Sequence, residues 1–404
     1  MNLLDDGAKI GAVVKTDLTK KFSIDGTTQI FPVYRIRLDL LYFNDQNNRI
    51  STYISQYRAE HNGDLPSSDD KEKFNTIIED YIVKSNPEAI KRTETNIELV
   101  DQKEAGVVLN DGRIIDGNRR FTCLRHLAKK AEKFDAFEAI ILDRDIEKSA
   151  KQIKLLELAI QHGEESKVEY NPIEELVGIY NDIEVSNLVT AEEYARSCNI
   201  PLKEVVHRLE NAKLLNEFLE YINAPQQYYI ARDLDIVSSL DTLNIILKKI
   251  HDEEEREKTK ICVFTNIIMH TGTDLRIFIR DINKVANSDY FTEYIEEQLP
   301  IAEQVANLLP KQSESNAASI TQTVRSHDDI RTNLEDSLEK VLYKTKRRET
   351  RNLPAKNIAK AKNLLEDLDI NIFQKLSEEE LDDIKRELNR LKFYISEIEK
   401  NLNV

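Results

Sequence analysis

Over residues 29–43, QIFPVYRIRLDLLYF, apolar and polar side chains alternate. Ile36, Leu38 and Leu40 fall on one side, and Arg35, Arg37 and Asp39 on the other. A period of two predicts a half-buried strand. The polar stretch NDQNNRI follows as a turn that carries Arg49. Over 71–84 the period lengthens: Phe74, Ile77, Ile78, Tyr81 and Ile82 recur at helical spacing. Short runs at 97–101 (IELVD) and 107–109 (VVL) read as strands, and Asp111-Gly112 between VVLN and RII predicts a tight hairpin. Asp116-Gly117 ends its second arm. Phe121, Leu124 and Ala128 then predict a helix that starts near Asn118, and FEAIIL (137–142) returns as a strand. Residues 1–147 therefore read as an α+β domain.

From residue 148 the pattern is helical, and 148–310 reads as an all-α domain. Asn171 is placed to cap a helix whose first residue is Pro172, with Ile173, Leu176, Val177 and Tyr180 as its buried stripe. Thr190 and Glu193 form a capping box. A short helix, a turn at Asn199 and a second helix from about Pro201 make a helical pair over about 190–215. Residues 311–404 form a third region. It opens on a small, polar stretch, 311–326, which reads as a linker or exposed loop. Near its end Leu381, Ile384, Leu388, Leu391, Ile395, Ile398 and Leu402 step by three and four, the a/d seam of a coiled-coil helix. That seam predicts pairing with a second copy, which would make a homodimer, or with another helix, and packing inside its own chain is the alternative.

Composition narrows the functions open to such a chain. It has 404 residues and a net charge of −16, which opposes indiscriminate coating of nucleic acid. A local basic face is still possible, and residues 340–362 hold nine Lys or Arg against the single acid Glu349. Cys123, Cys198 and Cys262 are far apart and form no CxxC pair, so neither a disulfide framework nor a zinc site is expected, and a reducing cytoplasm fits. No leader pattern opens the sequence and no run of 18 apolar residues occurs, so no membrane span is expected.

The densest candidate chemistry is IIDGNRRFTCLRHL. A helix start offers unpaired N–H groups and a partial positive charge. Arg119 and Arg120 add two guanidiniums there, Gly117 admits close approach, and Asn118 stands at the rim. Together they suit a phosphate. The simpler reading, salt bridges from Asp116 to the arginines beside an ordinary turn, stays open on the residues alone. No GxxxxGK[ST] loop is present.

These residues resemble the phosphate motif of the ParB/sulfiredoxin-like superfamily, which in ParB proteins is similar to GERRxRA. Gly117, Asn118, Arg119 and Arg120 take its first four positions, and Cys123 replaces the closing alanine. In the same order, the strand at 29–43 with Arg49 resembles the family's opening strand and turn. Asn171, Pro172, Ile173, Glu174 and Glu175 resemble the start of the ParB middle region. Thr190, Glu192, Glu193 and Ala195 resemble the opening of its helix-turn-helix. The resemblance covers roughly residues 29–215.

It implies an α+β ParB-like nucleotide-binding domain followed by an all-α domain with a helix-turn-helix. It also implies a nucleotide held by Arg49, Asp116, Gly117, Asn118, Arg119, Arg120 and Lys167, with CTP or ATP and Mg²⁺ as the expected ligand. Lys167 stands near the place of an arginine in the family's ENxQR segment, which QHGEES departs from, so hydrolysis is not implied. The reactive cysteine of the sulfiredoxin branch would fall at Asn118, whose carboxamide is no nucleophile.

Duplex DNA is the expected macromolecular partner. Lys203, His207, Arg208 and Asn211 of the second helix would face a groove, and Lys346, Arg347, Arg348 and Arg351 would contact phosphate. An ordinary helical hairpin and a solvated linker are the alternatives. Two other functional classes remain: a nucleotide-dependent enzyme of this fold (transferase, NTPase or nuclease), and a non-catalytic ligand-sensing adaptor, for example in phage defence.

Overall fold

The computed structural model describes all residues except 1, 25–26, 62, 144–145, 164–170, 271, 312–315 and 403–404. Lys167 and most of the QHGEES stretch's surroundings (164–170) therefore lie outside the described residues. The chain falls into two compact units, Met1–Val341 and Leu342–Val404.

The first unit begins as an α/β region with one five-stranded sheet. Its strands are β1 (Val13–Ile24), β2 (Thr27–Arg37), β3 (Gly106–Leu109), β4 (Ile114–Asp116) and β5 (Ala136–Leu142), in the order β1-β2-β5-β3-β4. β3 and β5 run parallel, and every other pair is antiparallel. Helices α1 (Ser51–His61), α2 (Lys71–Ser85), α3 (Pro87–Val100), α4 (Asn118–Ala128) and α5 (Ile146–Gly163) surround it.

The central strands have two buried faces, which explains their continuous apolar runs. Val108, Phe137, Ala139 and Ile141 join a core with Ile78, Ile90, Phe121 and Leu124 of α2–α4. The alternate residues Val107, Leu109, Ile140 and Leu142 pack with Ile153, Leu156 and Ile160 of α5. Asp111-Gly112 forms the turn between β3 and β4, with Gly112 at φ 98° and Val108 opposite Ile114.

Two expectations are corrected here, and one strand was missed. Residues 97–101 are not a strand. Ile97 to Val100 close α3, which starts at the Asn86 cap and Pro87 and buries Ala89, Ile90 and Ile97 on one face. The strand at 29–43 stops at Arg37, and Leu38–Leu40 form a 3-10 turn that buries Leu38 and Leu40. β1, the partner along the whole of β2, went unrecognised in the sequence.

Mostly helical segments follow: α6 (Pro172–Tyr180), α7 (Ala191–Cys198), α8 (Leu202–Tyr221), α9 (Tyr228–Leu234), α10 (Val237–Leu247), α11 (Glu253–Met269), α12 (Gly272–Val285) and α13 (Phe291–Leu308). Asn171 accepts the N–H of Ile173 at 3.0 Å to cap α6, and the Thr190–Glu193 capping box opens α7. Asn199 ends α7 in the left-handed conformation, φ 53°. α14 (Ala317–Thr323) occupies part of the expected linker. Asn316 caps it, and Ile320 and Val324 are buried, so apolar residues widely spaced among Ser, Thr and Asn suffice to dock it.

α15 (Asp328–Glu366) carries the basic segment and contains Pro354, and α16 (Glu378–Leu402) carries the heptad seam. No helix among the described residues is long and apolar enough to cross a membrane.

Within the first unit, buried polar contacts tie the helical segments to the α/β region. Glu174 of α6 is 2% exposed and caps α1: its carboxylate accepts from Thr52 N at 3.1 Å and from the hydroxyls of Ser51 and Thr52. Arg232 donates to Thr52 Oγ1 at 3.1 Å and lies 4.4 Å from the Tyr53 ring centre. A second knot joins Lys154 to Asp182 at 2.9 Å and Asn44 to Glu157 at 2.6 Å.

A candidate phosphate-binding cleft at the Gly117 turn

The hairpin and α4 place the candidate residues together. β4 ends at Asp116, Gly117 takes φ 100° and ψ 18°, and α4 begins at Asn118, so its cap residue, Gly117, has no side chain to offer the first N–H groups. Only glycine fits this corner. A Cβ at Gly117 would lie 2.7 Å from the Phe137 ring and 3.1 Å from the Arg120 guanidinium, in a conformation that L side chains rarely adopt. This helix start opens on a cavity of about 690 Å³.

That cavity collects Asp116, Gly117, Asn118, Arg119, Arg120 and Arg49, the six described residues expected from the sequence to hold phosphate. The two arginines are not an equivalent fork. Arg120 Nη2 donates to Asp116 at 2.8 Å, so Asp116 positions Arg120. Arg120 Nε is buried and meets no hydrogen-bond acceptor among the described residues, and the same holds for donors at Asn118 Oδ1. Arg49 follows the Asn47 cap on a 3-10 turn (Asn48–Ile50), and Arg49, Asn118 and Arg119 also line a smaller adjoining cavity of about 100 Å³.

Three lysines were missed in the sequence. Lys20 and Lys21 of β1 and Lys103 after α3 line the larger cavity. Lys20 is held at the rim by donating to the Ala105 carbonyl at 2.7 Å. Only the strand pairing brings them to the turn, so no local motif marks them. With them the cleft holds, among the described residues, six cations, Lys20, Lys21, Lys103, Arg49, Arg119 and Arg120, and the acids Glu104 and Asp116. The chain as a whole is strongly acidic.

Cys123 points away from this chemistry. It is fully buried against the Ile90 carbonyl, and burial pushes its thiol up to about 12. His126 faces Glu79 and Glu94 at 3.2 and 3.4 Å.

The residues expected to read DNA are placed differently. α7 and α8 meet at a short turn, and Lys203 is exposed. Asn211 is 4% exposed, however, with Asn244 donating to it at 2.7 Å and Asp241 accepting from it at 3.2 Å. Arg208 is paired with Glu175 and Glu204, and His207 with Asp241. The expected outer face thus turns three of its four polar side chains to partners on α6, on α10 and on α8 itself. Glu204 is a neighbour on the same helix, whereas Glu175 and Asp241 come from other helices, which a one-helix reading does not include. Lys346, Arg347, Arg348 and Arg351 are exposed on α15.

Comparison with known proteins gives a family match and a structural likeness. Residues 168–342 match the family described as insect allergen related repeat, nitrile-specifier detoxification, a stretch shorter than half of the chain. No match is found among curated proteins. A solved structure described as the C2221 form of a Pnob8-like ParB-N domain is similar over 67% of this chain and 98% of that one, at 14% identity and a TM-score of 0.34.

Proposed function

We propose that the Gly117 cleft binds the phosphates of a nucleotide, and that nucleotide binding regulates the protein. The observation that carries this is the gathering, among the described residues, of six cations around the start of α4 within one cavity of about 690 Å³. Helix N–H groups and guanidiniums favour the same ligand, a multiply charged oxyanion. Arg120, steered by Asp116, offers its remaining N–H groups. Asn118 supplies a carboxamide oxygen suited to a donor on the ligand, such as a ribose hydroxyl or a base amine. The volume suits a nucleotide. CTP and ATP with Mg²⁺ are the first ligands to try.

A thermal-shift panel of nucleoside triphosphates, with and without Mg²⁺, tests the reading. At least one nucleotide should raise the melting temperature of the wild type and leave the Arg119→Ala/Arg120→Ala variant unmoved. Equal shifts in both proteins, or none in either, would contradict it.

Duplex DNA binding is a second reading, favoured by the exposed basic run Lys346, Arg347, Arg348 and Arg351 on α15 and by Lys203 on α8. Contacts of this kind are with the phosphate backbone. Affinity should therefore fall steeply with salt and depend weakly on DNA sequence. A flat salt dependence, or no binding at low salt, would remove this reading and leave the ligand-sensing adaptor. Release of phosphate from the bound nucleotide, lost on Arg120→Ala, would add an enzymatic activity.

A further inference from the structure

Glu378–Leu402 forms a helix on which no residue is buried. Its apolar seam is open: Leu388 is 45% exposed, Ile395 44%, Ile398 43% and Leu402 62%. With Leu381 at a and Ile384 at d, the flanking g positions are Glu380, Glu387, Tyr394 and Asn401, and the e positions are Lys385, Lys392 and Glu399.

In a parallel, in-register coiled coil each g residue faces the e residue five positions on in the other strand. Glu380 then meets Lys385, and Glu387 meets Lys392. Each pair occurs twice by symmetry, so four attractive pairs form with no like-charge pair. An antiparallel arrangement of the same layers sets e against e and g against g. Lys385 would meet Glu399, but Lys392 would meet Lys392, and both glutamates would face the uncharged Tyr394 and Asn401.

We infer that this helix associates with the same helix of further copies of the chain, parallel and in register. The seam and its flanking charges are complementary to themselves in that orientation. The local ion pairs do not compete strongly. Lys385 pairs with Asp382 at 2.7 Å and Glu387 with Arg390 at 2.6 Å, both on exposed i,i+3 geometry, which is worth little. Glu380 also accepts from Ser377 N at 2.8 Å as part of the helix cap, so Glu387 and Lys392 are the cleaner probes. The parallel orientation serves two, three or four strands. Leu at three a positions, with Ile at two d positions, favours the higher numbers.

The test uses the full-length chain and light scattering after gel filtration. The wild type should have the mass of two or more copies, and Leu388→Asp with Ile395→Asp the mass of one. Glu387→Lys alone should weaken association by about tenfold or more, and Lys392→Glu alone likewise. Mixing those two proteins should restore it, because the reversed charges then match across strands. Leu381→Cys reports orientation. Parallel strands place the two thiols side by side and yield a disulfide-linked dimer on mild oxidation. Antiparallel strands separate them by about 30 Å. The three native cysteines are buried and do not interfere. A monomeric wild type would overturn the inference, and so would an associating Leu381→Cys protein that fails to cross-link.

Discussion

The start of α4 and the outer face of α8 both carry basic side chains, and they differ in what the rest of the fold supplies around them. At the start of α4, Arg120 meets one carboxylate, Asp116, and keeps a buried Nε without an acceptor among the described residues, beside a large cavity. On α8, Arg208 meets two carboxylates, His207 meets Asp241, and Asn211 is enclosed by polar partners. The sequence shows the same residue types in both places. Their capacity to bind something else differs. A matched, partly buried charge already contributes to the fold, and withdrawing it leaves its partner unmet. A cation beside a cavity, with polar atoms still unmet, has capacity left for a ligand.

The largest expected effect breaks the first surface. Gly117→Val should lower stability by about 3 kcal/mol or more, since it adds a clash with Phe137 to an unfavourable φ. Urea unfolding measures this, and an unchanged midpoint would show that the turn tolerates a side chain.

The next effect concerns the buried knot between the α/β region and the helical segments. Burial pushes Glu157 up to about 7, against the pull of nearby Lys154, with Asp182 adding to the rise and Asn44 and Arg113 opposing it. The folded state therefore favours the protonated acid. Its contribution is complete below the ordinary carboxylate range and is lost as pH rises through about 7, by up to roughly 3 kcal/mol. Melting temperature should fall from about pH 5 to about pH 8 in the wild type, and less steeply in Glu157→Gln. A wild-type profile that climbs over that window would contradict this account of the knot.

On the second surface, Asn211→Ala should cost about 2 kcal/mol by leaving Asn244 and Asp241 short of a partner. It should leave any DNA affinity unchanged. A large drop in DNA affinity with unaltered stability would reverse the comparison between the two surfaces. The smallest effect is expected at exposed Lys203, where alanine should change stability by less than about 0.5 kcal/mol.

Local rules recovered much of the frame. The Asp111-Gly112 hairpin, the helix from Asn118, the Asn171-Pro172 start and the Thr190–Glu193 capping box each depend on residues a few positions apart. Ile97–Val100 misled because a five-residue window cannot separate an apolar strand from the end of a helix that began at Pro87. The turn that lines the candidate cleft was legible in Gly117, Arg119 and Arg120. Its full charge was not, because Lys20 and Lys21 arrive through β1, whose pairing with β2 leaves no local mark. The same limit hid the carboxylates that engage Arg208 and His207, since Glu175 and Asp241 lie on other helices.

The central claim is that the six-cation cleft at the Gly117 turn takes nucleotide phosphate. Calorimetric titration of CTP, ATP and inorganic tripolyphosphate into the wild type, Arg119→Ala/Arg120→Ala and Arg208→Ala tests it most directly. We predict saturable binding of a nucleotide by the wild type and by Arg208→Ala, with affinity reduced about a hundredfold or more in the double variant. Binding that survives loss of both α4 arginines, or a wild type that binds none of the three polyphosphates, would contradict it.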